Sequence, residues 1–280
     1  MAKYLTEDGS IDAVNNRMGD DIDPRLKEVM GSLVKHLHSF AKDVQLTQEE
    51  WDYGIKFLTE TGHWCSEDRQ EFILLSDTLG FSMLVDAINN RRPEGATENT
   101  VFGPFHIADA PIREMGDTIS MDGKGESCLF EGTVCDLNGN PIKGAVIDVW
   151  SDNEDGFYDI QQPDVQPRGN NRGIFTTGSD GTYSFVGIKP VAYPIPFDGT
   201  VGNMLAALGR SHWRPAHMHF MIKAKGYKTI VTHTFVPGDK YLEIDTVFGV
   251  KESLIAEFEK LNGADTEWRS PYDFVMMADA

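Results

Sequence analysis

Residues 128–150 read CLFEGTVCDLNGNPIKGAVIDVW. Two β-rich runs, CLFEGTVCDL and AVIDVW, flank Asn138-Gly139-Asn140-Pro141, four residues that each favour a turn. The same rhythm continues downstream as IFTTG, the turn Ser179-Asp180-Gly181, TYSFVGI, then HMHFMI and the alternating TIVTHTFV. Many short strands with frequent turns predict a β-sandwich rather than a parallel α/β sheet.

Upstream of this region the hydrophobic period is helical. Leu26, Val29, Met30, Leu33, Val34, Leu37 and Phe40 recur at three- and four-residue spacing, which places them on one face of an amphipathic helix starting near Pro24. Thr47 and Glu50 have capping-box spacing for a second helix, and Phe72, Leu75 and Leu79 mark a third helical stretch, so the chain to about Asn90 reads as helical. The Pro- and Gly-rich stretch 89–117 has weak periodicity and reads as a connector. The expected class is therefore mainly β: a helical segment with its connector over 1–100, and a β-sandwich domain over 101–280. No internal repeat or low-complexity tract interrupts this plan.

Composition narrows the functional classes. The 280 residues carry 25 Lys plus Arg against 44 Asp plus Glu, a net charge of −19, and 40% are apolar. That charge repels phosphate backbones and anionic bilayers, so neither nucleic acid nor membrane is an expected partner. The first residues hold no apolar signal core, and no run approaches about 18 apolar residues, so a cytoplasmic protein is expected. Cys65, Cys128 and Cys135 are odd in number and lack Cys-x-x-Cys spacing, which argues against disulfides or a thiolate zinc site and for small apolar roles.

His217 and His219 stand one residue apart in RPAHMHFMI. In a strand both imidazoles leave the same face, with Met218 and Phe220 on the other, so the pair is placed to bind a metal. A pair of polar residues on a solvated face is the alternative. His36 and His38 have the same spacing but lie on a helix, where they diverge, and are assigned to the surface. No carboxylate or thiolate motif of the common zinc or facial-triad iron kinds accompanies the histidines. Tyrosines occur instead in unusual contexts. Tyr158 follows the strand ending at Trp150, where the chain turns out of the sheet, and Tyr193 sits between prolines in KPVAYPIP. A loop tyrosine by itself reads as packing or a hydrogen-bond donor. A phenol of ordinary pKa about 10 becomes a ligand only when a highly charged cation drives off its proton, as iron(III) does.

GTVCDLNGNPIKGAVIDVWSDNEDGFYD (132–159) and GRSHWRPAHMH (209–219) resemble the signature blocks of the intradiol ring-cleaving dioxygenases. The resemblance extends over nearly the whole chain. It implies a β-sandwich catalytic domain behind a helical dimerisation segment, often around a bound lipid. It also implies one iron(III) per subunit held by Tyr158, Tyr193, His217 and His219, with Tyr193 accepting a substrate proton and Arg214 beside the substrate. Without the resemblance, Arg214 reads as one half of a surface ion pair.

Three further segments, SDTLGFSMLVDAINNR (76–91), GATENTVFGPFH (95–106) and THTFVPGDKYLEIDTVFGVKESL (232–254), are similar to the hydroxyquinol-cleaving branch of that family. This implies opening of benzene-1,2,4-triol with O2 to 3-hydroxy-cis,cis-muconate, the enol of maleylacetate. It also implies a pocket of Leu74, Asp77, Val101, Phe102, Gly103, Phe105 and Ile195. His233 stands where catechol enzymes usually carry Gln, and joins the pocket on that ground. Asp77 reads either as acceptor for the third hydroxyl or as a capping, solvated helix residue. The competing activities are catechol or chlorocatechol cleavage, with the same four ligands, and a non-catalytic sandwich module.

Overall fold

The computed structural model describes residues 4–66, 69–262 and 265–279. The chain forms two compact units, Met1–Glu60 and Thr61–Ala280.

The first unit contains α1 (Ser10–Asn15), α2 (Pro24–Asp43) and most of α3 (Gln48–His63). Helix α2 begins as its sequence directs. Pro24 occupies the first turn, where its missing N–H costs nothing, and the Asp23 carboxylate accepts from the Leu26 amide at 2.8 Å. The expected capping box opens α3: Thr47 Oγ1 accepts from the Glu50 amide at 3.3 Å, and Glu50 Oε2 accepts from the Thr47 amide at 2.9 Å. No residue of α2 is buried. Its apolar stripe lies open, with Leu26 53% and Leu37 56% exposed. Helix α1 carries too short a pattern to be read from sequence. On α2, His36 is exposed and His38 is half-buried.

In the second unit the third helical stretch is two helices, α4 (Glu71–Thr78) and α5 (Phe81–Asn89). Gly80 separates them with φ of +73°, a left-handed conformation that periodicity does not reveal. Residues 90–126 contain no helix or extended strand. The β region then comprises β1 (Ser127–Asp136), β2 (Val146–Trp150), β3 (Arg172–Thr176), β4 (Thr182–Ile188), β5 (Tyr193–Pro194), β6 (Trp213–Arg214), β7 (His217–Lys223), β8 (Ile230–Phe235), β9 (Glu259–Lys260), β10 (Trp268–Pro271) and β11 (Phe274–Met276). Helix α6 (Thr200–Ala207) lies between β5 and β6.

One sheet is centred on β1. It pairs antiparallel with β4 along one edge and parallel with β10 and β11 in succession along the other, while β9 extends β10. The second sheet has the order β3-β2-β7-β8, all antiparallel. Phe130, Val134, Phe185 and Phe274 of the first sheet share one buried cluster with Ile147, Val149, Met218, Phe220 and Ile222 of the second. This is the β-sandwich that the turn-and-strand pattern predicts. Phe130, Phe175 and Phe185 stack within it at centroid separations of 5.0 and 5.1 Å. The strands that pattern reading missed, β5, β6, β9, β10 and β11, have two to four residues, too few to show a period.

Alternation has a direct consequence for chemistry. Because Met218, Phe220 and Ile222 enter the core, His217, His219 and Met221 must emerge on the outer face of the second sheet. Register then adds neighbours on that face: Trp150 lies opposite His219 on one side, and His233 lies opposite it on the other.

Candidate metal centre

Four of the expected side chains converge on the outer face of the second sheet, and all are buried: Tyr158, Tyr193, His217 and His219 are each 4% exposed or less. Two come from β7. Tyr158 arrives on the loop after β2, where its amide donates to Gln161 Oε1 at 2.9 Å. Tyr193 arrives on β5, paired with Arg214 of β6. Their polar atoms crowd together: His217 Nε2 lies 3.2 Å from His219 Nε2, which lies 3.0 Å from Tyr158 Oη. Tyr158 and Tyr193 meet edge to face at 5.7 Å between ring centroids.

The donor set fits a metal ion. His217 Nδ1–H donates to the Pro215 carbonyl at 2.7 Å, which directs the Nε2 lone pair into the cluster. Burial, reinforced by Arg214, holds His217 well below the usual histidine range, and burial together with His217 does the same to His219. Both imidazoles are therefore neutral, the form that ligates. Burial pushes both phenols up, Tyr158 strongly, while Arg214 opposes the rise at Tyr193. Such phenols keep their protons unless a cation of high charge displaces them. His217, His219 and His233 also form a cluster whose ring nitrogens lie within 4.8 Å of one another.

The family described as "Dioxygenase" matches residues 101–278, and "Catechol dioxygenase N terminus" matches 23–97. The chain belongs to the intradiol dioxygenase family. It is similar to a hydroxyquinol 1,2-dioxygenase of Rhizobium sp. (strain MTP-10005), 51% identical over 98% of this chain and 96% of that protein. A 6-chlorohydroxyquinol 1,2-dioxygenase of Cupriavidus pinatubonensis is 50% identical over 94% of this chain and 95% of its own length. Among solved structures, hydroxyquinol 1,2-dioxygenase from Pseudomonas putida DLL-E4 superposes with a TM-score of 0.91 at 48% identity, covering 98% of this chain and 97% of that one.

In this dioxygenase the expected pocket residues lie on several elements, and Phe105 and Gly103 stand against the cluster. Phe105 stacks on Tyr158 at 4.5 Å. Gly103 adopts φ of +75°, and a Cβ there would stand 3.1 Å from His219 Cε1, so only glycine brings the loop so close to the imidazole. Leu74 packs with Ile195, Val201 and Leu205. Val101 is buried with Met83 and Val247 in a separate cluster, and Phe102 is 43% exposed with its ring 5.7 Å from Trp150. Leu74, Asp77 and Phe105 line a common small cavity of about 50 Å³.

Asp77 is 8% exposed, which removes the solvated half of its second reading. Its carboxyl is raised by burial, held partly in check by a hydrogen bond with Ser82 and by the charge of Arg214. His233 is fully buried, its ring 4.1 Å from His219 and 4.6 Å from His217. It therefore touches both expected ligands directly.

Several site residues escaped sequence reading because their partners are distant in the chain. Asp245 holds Arg214 through Nε at 3.2 Å and Nη2 at 3.4 Å, so the ion pair read for Arg214 without the resemblance exists but is buried and not at the surface: Arg214 is 3% exposed. Burial works against that guanidinium's charge, but Asp245 and Tyr193 hold its pKa above the ordinary value. Trp150 stacks on His219 at 4.7 Å and 14°. Arg172 and Asp159, both about 1% exposed along their side chains, form an ion pair at 2.6 Å next to Tyr158. Asp152 is buried beside both tyrosines, and burial pushes its carboxyl far up.

No described helix is long and apolar enough to cross a membrane. No disulfide occurs: Cys128 is buried, whereas Cys65 and Cys135 are only half-buried.

Proposed function

We propose that this chain cleaves hydroxyquinol, benzene-1,2,4-triol, between its adjacent hydroxyls with O2, giving 3-hydroxy-cis,cis-muconate. Catechol or chlorocatechol cleavage is the second reading, since it would use the same cluster. The convergence of two neutral imidazoles and two phenols, with Phe105 stacked on Tyr158 and also lining a small cavity, carries the intradiol reading. The 50–51% identity to enzymes named for hydroxyquinols favours the triol.

Tyr158, Tyr193, His217 and His219 are the residues assigned to hold iron(III), one per chain. When bound, iron(III) would supply the Lewis acidity that lets the two phenols and the two adjacent substrate hydroxyls ionise. The rest falls to the protein. Phe105 and Gly103 confine the ring next to Tyr158 and His219. Tyr193 Oη, beside Arg214, is the atom assigned to take up a substrate hydroxyl proton. Arg214, locked by Asp245, presents a permanent cation to the negative charge that develops as the ring opens. Asp77, which lines the cavity, is assigned to accept a hydrogen bond from the third hydroxyl, the group catechol lacks. Leu74, Val101, Phe102 and Ile195 complete the apolar wall.

The open stripe of α2, with Leu26, Val29, Leu33, Leu37 and Phe40 exposed, is assigned to a homodimer interface, with lipid as a further occupant. Oxygen uptake by the iron-loaded protein with benzene-1,2,4-triol and with catechol tests the activity. Faster turnover of the triol supports the reading, and preference for catechol replaces it with the second.

A further inference from the structure

Resting on that reading of the site, we infer that His106 is a positioning residue: its hydrogen bond to Asp148 fastens the loop 101–106, which forms one wall of the substrate cavity, to the metal-bearing sheet.

The loop is held by its side chains, Val101 being buried beside Met83 and Val247 and Phe105 stacked on Tyr158, and not by backbone pairing. Among the described residues, none from 101 to 108 takes part in a backbone–backbone hydrogen bond outside regular elements. Its register is nevertheless demanding, because it must place Gly103 against His219 and Phe105 face-on to Tyr158. His106 Nε2 donates to Asp148 Oδ2 at 2.8 Å, with side-chain exposures of 15% and 9%. Asp148 is the middle residue of β2, and Ile147 and Val149 on either side are fully buried in the sandwich core. The acceptor is thus set in a rigid strand.

The same histidine links the loop to the metal centre through ring contacts. Phe102 lies 4.8 Å from His106, His106 meets Trp150 edge-on at 4.8 Å, and Trp150 stacks on His219 at 4.7 Å. A side chain at position 106 therefore governs both where the substrate wall stands and what supports the outer face of Trp150. An apolar residue there would keep some ring packing but leave the buried Asp148 carboxylate without its donor.

The test uses the iron-loaded enzyme and three forms: wild type, His106→Ala and His106→Gln, whose amide can donate to the same carboxylate. Two readouts are compared. One is KM and kcat for benzene-1,2,4-triol. The other, needing no substrate, is the rate at which thermolysin cleaves between residues 101 and 108, followed by mass spectrometry. We expect His106→Ala to raise KM about ten-fold, the equivalent of one good hydrogen bond, with kcat within about three-fold. Cleavage in the loop should accelerate by a similar factor, and His106→Gln should restore most of both. Unchanged loop cleavage in His106→Ala, or a loss in kcat alone, would overturn the inference. A failure of Gln to rescue either readout would overturn it too. If the wild type turned over neither the triol nor catechol while loop cleavage still responded, the proposed substrate would fall and the fastening role would stand.

Discussion

Arg214 and Asp245 form a buried two-point ion pair, 3.2 Å from Nε to Oδ1 and 3.4 Å from Nη2 to Oδ2, which leaves Nη1 facing His217 Nε2 at 3.2 Å. One carboxylate thus dictates the direction in which this guanidinium points at the cluster's edge. Lysine cannot reproduce a two-point contact plus a third directed N–H. Arg214→Lys should therefore lower kcat/KM for the ring-opening reaction by about 100-fold, a loss near 2.7 kcal/mol. Asp245→Asn leaves a buried cation uncompensated and should destabilise the fold by about 3–5 kcal/mol, read as a lowered denaturation midpoint.

The two phenols are predicted to differ in what their loss does. Both Tyr158→Phe and Tyr193→Phe remove an oxygen donor, and tyrosinate–iron(III) charge transfer should colour the wild-type protein red. Tyr193→Phe should retain iron but turn over at least about 100-fold more slowly, the scale of a lost general base. Metal analysis beside the visible spectrum decides this. Wild-type turnover in Tyr193→Phe would reject Tyr193 as the proton acceptor.

Removing an imidazole should cost the metal itself. His217→Ala and His219→Ala are expected to purify with little iron, because loss of one ligand from so small a set leaves the remaining donors too weak. Chelation of wild-type protein should lower its melting temperature, by an amount equivalent to about 4 kcal/mol if the free metal stood at 1,000 times its dissociation constant. Full iron occupancy in either variant would remove that histidine from the ligand set.

Asp77 is the residue expected to separate triol from diol. A buried polar group that meets its partner only in one substrate discriminates more sharply than an apolar wall. Asp77→Ala should reduce the ratio of triol to catechol kcat/KM at least about ten-fold, a change of roughly 1.4 kcal/mol. Parallel kinetics on the two substrates provide the check, and an unaltered ratio assigns Asp77 to packing alone.

Burial pushes the Cys128 thiol up to about 12, against an ordinary value near 8.5. The thiolate is the reactive form, so at pH 8 Cys128 should resist thiol reagents in the folded protein and react only on unfolding. Labelling of Cys128 at the rate of a half-exposed thiol would show that the start of β1 opens.

Much of the fold was legible because local rules and tertiary demands agreed. The Pro24 start and the Thr47–Glu50 box announced α2 and α3, and the turns at 138–141 and 179–181 separated strands that formed almost as marked. Legibility failed where elements are short or where one residue's backbone decides. Gly80 split a continuous apolar pattern into α4 and α5, and the short strands β5, β6, β9, β10 and β11 left no period to find.

The sequence by itself determined that His217 and His219 share a face, because strand alternation is a property of the backbone alone. It also marked Tyr158 and Tyr193, through the family blocks and the prolines around them. Only the tertiary structure decided what those residues stand against. Asp245 meets Arg214 across 31 positions, Asp148 meets His106 across 42, and His233 faces His219 through the pairing of two strands. No spacing rule encodes such pairs, since they bring together segments far apart in the chain whose buried polar groups must be satisfied in one enclosed site.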